Sequence, residues 1–188
     1  MNNTYIFLRH ALTEINENKP IDKWVITEKG REAICEVISS GIFDDVDTII
    51  SSSEKKAIQT AYFLSERLGK EVHLNPDLKE LYRGDEYLET KEEYETRVWR
   101  IFDNPTECSF GWETAEKALK RIAKAIKRFD NRYTGKKIFI VSHGIILTLF
   151  FGKLLNIEQK EYFQRWKKLK FCGWGSVSGN KVTKDIVN

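Results

Sequence analysis

Three stretches of this chain end in the same way, and that recurrence limits the folds open to it. Tyr5-Ile6-Phe7-Leu8 runs into Arg9-His10, Val46–Ile50 into Ser51-Ser52-Ser53, and Lys137–Val141 into Ser142-His143-Gly144. A short apolar run that stops abruptly reads as a strand buried on both faces of a parallel sheet. The segments between them have helical spacing. Thr27 is a good N-cap, and Ala33, Ile34, Val37 and Ile38 then give an apolar stripe up to about Ser40, with Gly41 as the stop. After the serines, which suit the capping of a helix start, Ala57, Ala61, Leu64 and Leu68 share one face until Gly69. Glu71 to Leu74 suits a third short strand. The first 75 residues therefore read β-α-β-α-β, the pattern of a parallel sheet with crossover helices.

From Asn75 to Gly111 the pattern is irregular, apart from a helix over Lys91 to Phe102, and an insertion of this length in a compact domain tends to be functional. It reads as a cap over the strand ends, and an acidic one, with Asp85, Glu86, Glu89, Glu92 and Glu93. Helical spacing resumes from Glu113 to about Phe129, with a solvated face of lysine and arginine behind it. Ile145 to Leu155 reads as a buried helix. Two tail strands, Leu169 to Val177 and Lys181 to Val187, flank Gly179-Asn180, which suits a tight hairpin. The expected fold is a three-layer α/β sandwich, a mainly parallel sheet with helices on both faces and a small cap at about 75–111. With no repeat and no linker, residues 1–188 read as one domain.

Composition excludes several classes. A net charge of +3 over 188 residues implies no nucleic-acid partner. No run of 18 apolar residues is present, so no transmembrane helix is expected. The short apolar run near the N-terminus has no cationic region before it, so no signal peptide is expected. The three cysteines, Cys35, Cys108 and Cys172, have no metal-ligand or redox spacing. Free thiols in a reducing cytoplasm are the simplest reading, with no metal and no cofactor.

Parallel strands bring their carboxyl ends to one edge of the sheet, where ligands of open α/β sheets bind. That edge would collect His10, His143, Arg9 and Lys56, with Glu80 in the cap segment above it as a possible proton source. Helix N-termini there would add free backbone N–H groups. His73 reads as a partly buried strand histidine. Tyr162–Lys168, aromatic and basic, reads as a packed and solvated surface.

These residues resemble the histidine phosphatase superfamily, the phosphoglycerate mutase-like proteins of branch 1. Arg9-His10-Ala11-Leu12-Thr13-Glu14-Ile15-Asn16 is similar to the family's Arg-His-Gly-x-Thr-Glu-x-Asn, and Thr27–Gly30 to its Leu-Thr-x-x-Gly. Ser52 with Lys56–Ala61 resembles its Ser-Ser-Pro-Leu-x-Arg-Ala-x-Gln-Thr-Ala, Leu78-Lys79-Glu80 its Leu-x-Glu, and Trp112-Glu113-Thr114 its Gly-Glu-Ser. Val141–Gly144 is similar to the segment with the second histidine.

The resemblance implies a metal-independent phosphatase of small phosphorylated metabolites. His10 would be the nucleophile, and Arg9, Lys56 and His143 would hold the phosphoryl oxygens. Glu80 would be the proton donor, Asn16 would add a neutral hydrogen bond, and Gly144, after the second histidine at the helix start, would help bind the substrate. The alternatives are phosphoglycerate mutase-type transfer within the same family and a catalytically impaired phosphate-binding module. The expected partner is a small phosphorylated substrate, with no nucleic acid or membrane; a homodimer is possible. Three departures stand out. Ala11 replaces a glycine, which would disfavour a positive φ. Lys56 replaces an arginine, losing the bidentate fork. Ser53-Glu54 replaces Pro-Leu, which would put a carboxylate near the pocket mouth.

Overall fold

The computed structural model describes residues 2–84 and 87–187; Asp85 and Glu86 of the acidic cap lie outside them. Among the described residues the strands are β1 (Thr4–Arg9), β2 (Thr48–Ser52), β3 (Val72–Asn75), β4 (Lys137–Ser142), β5 (Trp174–Ser178) and β6 (Lys181–Lys184). They form one sheet in the order β3-β2-β4-β1-β5-β6. The first four are mutually parallel, and the β5–β6 hairpin adds antiparallel to β1. The α-helices among the described residues are α1 (Glu28–Ser39), α2 (Lys55–Leu68), α3 (Lys91–Asp103), α4 (Ala115–Arg132), α5 (Gly144–Leu154) and α6 (Tyr162–Lys168).

The alternation of side chains along a strand explains the three layers. Tyr5, Phe7, Ile138 and Ile140 belong to a core that includes Ile122 and Phe129 of α4 and Phe150 and Phe151 of α5. Ile6, Leu8, Phe139 and Val141 join instead with Ile34 and Ile38 of α1 and Ala57, Ala61 and Leu64 of α2. Phe7 is wholly buried, its ring 5.1 Å from Phe150 and 5.6 Å from Phe151; truncation there to alanine would cost about 3–5 kcal/mol. A third cluster joins Val98, Ile101 and Phe102 of the cap helix α3 to Trp112, Ile145 and Trp166, which seats the cap on the first turn of α5.

Local chemistry sets the element ends. The Thr27 hydroxyl accepts the N–H of Gly30 at 3.0 Å, a cap of the kind that contributes ~1 kcal/mol. Gly30 leaves room for the loop after β1: a Cβ there would lie 2.5 Å from the Leu12 carbonyl oxygen. Gly69 closes α2 at φ +62°, the left-handed conformation that glycine adopts without cost.

Four expectations are corrected. The serines do not cap α2: its N-cap is Glu54, whose side chain makes no capping bond. α4 begins after Thr114, whose hydroxyl accepts Lys117 N–H, and runs on to Arg132. The first tail strand begins at Trp174, not Leu169, with α6 ahead of it. His73 is exposed, because β3 is an edge strand carrying only part of the core pattern.

Candidate active site

Strand register brings the two imidazoles together. Leu8 pairs with Val141 and Arg9 with Ser142 across the parallel β1–β4 ladder. The next step of the ladder is a hydrogen bond from His10 N–H to the Ser142 carbonyl, 3.0 Å. His10 and His143 are therefore neighbours, their ring centroids 5.1 Å apart.

His10 is 6% exposed. Its Nδ1 lies 2.8 Å from the Ala11 carbonyl, so Nδ1 carries the proton and donates, leaving the Nε2 lone pair free. Thr13 Oγ1 lies 3.2 Å from the same nitrogen. Ala11 is not among the residues of positive φ, so the missing glycine costs the loop no strain. Its N–H donates to Thr60 Oγ1 at 3.0 Å, which fastens the loop to α2. Burial first, then the neighbouring His143, Lys56 and Arg9, hold His10 well below the usual histidine range. His143, wholly buried, is also held well below it, by burial and then by Lys56, Arg83, Arg9 and Arg121. Both rings are neutral at neutral pH, as a nitrogen nucleophile has to be.

Arg9 is the last residue of β1. Its Nη1 donates to the Leu169 carbonyl at 2.5 Å, and its Cζ stands 4.0 Å from the centroid of the Phe171 ring. Gly144 makes that fit possible, because a Cβ would meet Arg9 Cζ at 3.2 Å. Arg9 Nε and His143 Nδ1 are buried without a hydrogen-bond partner. A buried donor left unmade is costly, and an anion entering this space would satisfy it.

Lys56, in the first turn of α2, is 4% exposed and donates to the Ile21 carbonyl at 3.0 Å. It is also paired with Glu54. The Glu54 carboxylate is therefore inside the site and 5% exposed, not at its mouth. Its Oε1 accepts the Glu80 N–H at 2.8 Å and lies 3.5 Å from His143 Nε2. Ser52 Oγ sits 2.7 Å from the same imidazole nitrogen.

Glu80 comes down from the cap segment onto the start of α5. Its Oε1 accepts Leu81 and Ile146 N–H at 2.9 and 3.0 Å, and its Oε2 accepts Ile145 N–H at 2.9 Å. The free amides expected at this helix start are thus partly taken. Arg121 holds the segment by donating to the carbonyls of Asp77, Lys79 and Glu80 while its guanidinium forks onto Glu113. Asn16 engages its own loop, accepting Asn18 N–H at 3.1 Å. Sequence reading missed Arg83, whose guanidinium lies 4.8 Å from the Tyr94 ring, and Phe171, the aromatic wall 5.6 Å from His10. A cavity of about 630 Å³ opens beside Glu54, Glu80 and Arg83. Among the described residues no cluster of three or more His, Cys, Asp or Glu is placed to hold a metal ion, and no helix is long and apolar enough to cross a membrane.

The family model described as the histidine phosphatase superfamily (branch 1) matches residues 5–178. Phosphoglycerate mutase-like protein 4 of Arabidopsis thaliana is 26% identical over 155 residues, covering 76% of this chain and 66% of that protein, just under two thirds of its length. A solved structure of mycobacterial glucosyl-3-phosphoglycerate phosphatase has a TM-score of 0.75 at 20% identity, covering 97% of this chain and 96% of its own. A phosphoserine phosphatase from Entamoeba histolytica, described in complex with 3-phosphoglyceric acid, has a TM-score of 0.74 at 24% identity, covering 99% and 100%. At these identities the two structures show a shared fold.

Proposed function

The chain belongs to the histidine phosphatase superfamily, branch 1, and from that premise we propose that it is a metal-independent phosphatase that hydrolyses phosphomonoesters of small metabolites through a phosphohistidine on His10. The observation that carries this reading is Arg9 Nε, a buried donor without a partner, beside a His10 whose Nε2 is free. Together they suit a phosphoryl group: a nucleophile for the phosphorus and a donor for one of its oxygens.

His10 Nε2 attacks phosphorus as the bond to the leaving oxygen breaks. Arg9 and His143, with Lys56, stabilise the charge on the equatorial oxygens. Glu80 protonates the leaving oxygen and then takes a proton from the water that hydrolyses the phosphohistidine. A carboxylate has about four lone-pair sites. Oε1 gives two of them to backbone N–H groups and Oε2 gives one, so Oε2 is the oxygen with room for that proton. Asn16 adds a neutral hydrogen bond from the loop after the nucleophile.

The curated relative named as mutase-like supports the mutase alternative, and the two phosphatase neighbours support hydrolysis. Hydrolysis is favoured by the cavity wall, where Asp22, Glu54, Glu80 and Glu113 stand among the cations. A mutase has to retain a bisphosphorylated intermediate, which a strongly basic enclosure does better. The expected result is hydrolysis of p-nitrophenyl phosphate in the presence of EDTA. Activity lost to EDTA and restored by a divalent cation would overturn the reading. Phosphate binding without turnover on a broad phosphomonoester panel would identify an impaired binding module.

A further inference from the structure

A second cavity, of about 280 Å³, lies between the loop that follows His10 and the cap segment that follows Glu80. The loop contributes Ile15, Ile21 and Trp24, and the cap contributes Arg83, Leu88 and Tyr94. Ile21, Arg83 and Trp112 also line the larger cavity, so the two spaces adjoin. Ile15 stands five residues after the proposed nucleophile, and Arg83 three after the proposed proton donor. In phosphoryl transfer the leaving oxygen departs roughly in line with the attacking atom. Here it has to meet Glu80 as it leaves, and the group it carries then lies between these two segments. Tyr94 ties the cavity to the site: burial, first, raises its phenol, and the charges of Arg83, Glu80, Arg9 and Glu54 act on it next.

The polar groups along this cavity are largely spoken for. Trp24 Nε1 donates to the carbonyls of Asn16 and Lys19 at 2.8 and 3.1 Å, and Thr90 Oγ1 accepts Glu93 N–H at 3.1 Å as the cap of α3. Glu89 and Lys91 are exposed. Arg83 is stacked on rings, its Cζ 4.8 Å from the Tyr94 centroid and 6.0 Å from that of Trp112. A guanidinium used in this way presents a planar face. The remaining walls are aliphatic or aromatic, and Ile15 is left 64% exposed on the nucleophile loop. The hydroxyls of a sugar or hydroxy acid would lose water here and regain few partners. A flat apolar ring would cover Ile15 and Leu88 and meet the edges and faces of the aromatic walls.

Resting on the phosphatase reading of the site, we propose that this cavity is the leaving-group subsite, and that it selects phosphomonoesters whose alcohol carries an aromatic ring. The phosphoryl group sits with His10 and Arg9, the leaving oxygen beside Glu80, and the ring between Ile15 and Trp24 of the loop and Leu88 and Tyr94 of the cap. At the lower end of the size range for small-molecule sites, the cavity suits a single ring on a short linker. The other occupant that Arg83 could recognise is a carboxylate on the leaving group, which the test has to separate from a ring.

Three esters with the same primary alkoxide leaving oxygen isolate the chemistry of the tail: 2-phenylethyl phosphate, 2-carboxyethyl phosphate and ethyl phosphate. The kcat/KM of the phenylethyl ester should exceed that of either other ester by about 10–100-fold, the size of a well-filled apolar contact. Most of the difference should lie in KM, as for binding shared by ground and transition states. Combining Ile15→Ser with Leu88→Ser should lower the phenylethyl-to-ethyl ratio by about tenfold. A wild-type ratio near one, a result that needs no variant to fold, would overturn the proposal, and so would a ratio that the double variant leaves unchanged. Preference for the carboxyethyl ester would also overturn it and give the cavity to an anion held by Arg83. Calorimetry with two phosphonates that cannot be hydrolysed separates this proposal from the phosphatase reading. 3-Phenylpropylphosphonate should bind more tightly than propylphosphonate by a similar factor. Equal affinities with turnover retained would overturn the ring subsite alone. Tighter binding of the phenyl compound with no ester turned over would support the ring subsite and overturn the phosphatase reading.

Discussion

Glu80 bridges the cap and the start of α5, its Oε2 accepting Ile145 N–H at 2.9 Å and its Oε1 accepting Ile146 N–H at 3.0 Å. A negative group at a helix N-terminus is favoured by the unpaired amides and the dipole, so the contact holds the proposed proton donor in place. It also takes up those amides, so the phosphoryl oxygens of the proposed mechanism are left to Arg9, His143 and Lys56.

Glu80→Gln keeps the size of the side chain and one acceptor oxygen but cannot deliver a carboxyl proton. The expected loss in kcat on an alkyl phosphate is about 10²–10⁴-fold, the usual contribution of general acid–base catalysis. The loss on p-nitrophenyl phosphate should be clearly smaller, because p-nitrophenolate leaves without a proton. Equal losses on the two esters would remove Glu80 from the proton-transfer role.

Lys56→Met should act on stability as well as on activity. It leaves the Glu54 carboxylate, 5% exposed, without its cation. Breaking a buried pair from one side costs about 3–5 kcal/mol, whereas replacing both partners by apolar groups of similar volume is close to neutral. Urea unfolding should therefore show a large drop for Lys56→Met and recovery of most of it in the double variant with Glu54→Leu. If the two substitutions destabilise additively, the pair is not coupled.

The sheet was legible because its signals are local. Tyr5–Leu8 and Ile138–Val141 carry enough apolar residues to mark strands, and Thr27 and Gly69 mark helix ends by their own chemistry. The adjacency of His10 and His143 followed from strand ends sharing one edge. What escaped depends on contacts distant in sequence. Glu54 reads as a carboxylate near the pocket mouth until Lys56 and Glu80 N–H close on it and place it inside. The three carbonyls that Arg121 holds lie about 40 residues earlier, 41 to 44 by count. α6 is short and aromatic, and only the packing of Trp166 under the cap separates it from a loop.

The two buried imidazoles should also make the fold acid-sensitive above the range where carboxylates titrate. Burial, above all, holds His10 and His143 well below the ordinary 6.5. Below that value the unfolded chain binds protons that the native chain does not. Stability is therefore complete above about pH 6.5 and falls as pH drops, by up to ~1.4 kcal/mol per pH unit for each histidine. Urea midpoints compared between about pH 7.5 and pH 5 should show this slope, and His143→Asn should remove roughly half of it. A pH-independent midpoint over that interval would mean that the native rings accept protons as readily as unfolded ones.

His10 and His143 lie side by side but differ in what their free nitrogens meet. His10 donates from Nδ1 to its own loop at Ala11, so its Nε2 is available to phosphorus. His143 has Nε2 against Ser52 Oγ at 2.7 Å and Glu54 at 3.5 Å, which suits a group that holds an oxygen. A nucleophile cannot be replaced by another hydrogen-bond donor, whereas an oxyanion-stabilising group can be replaced in part. Rapid quench with a labelled phosphomonoester should trap acid-labile phosphate on His10, and His10→Ala should abolish it. His143→Asn should slow its formation by about 10²–10³-fold, the loss typical of one such donor, while the labelled species stays detectable. Label on His143 would reverse the two roles, and turnover with no labelled histidine would mean that water attacks phosphorus directly.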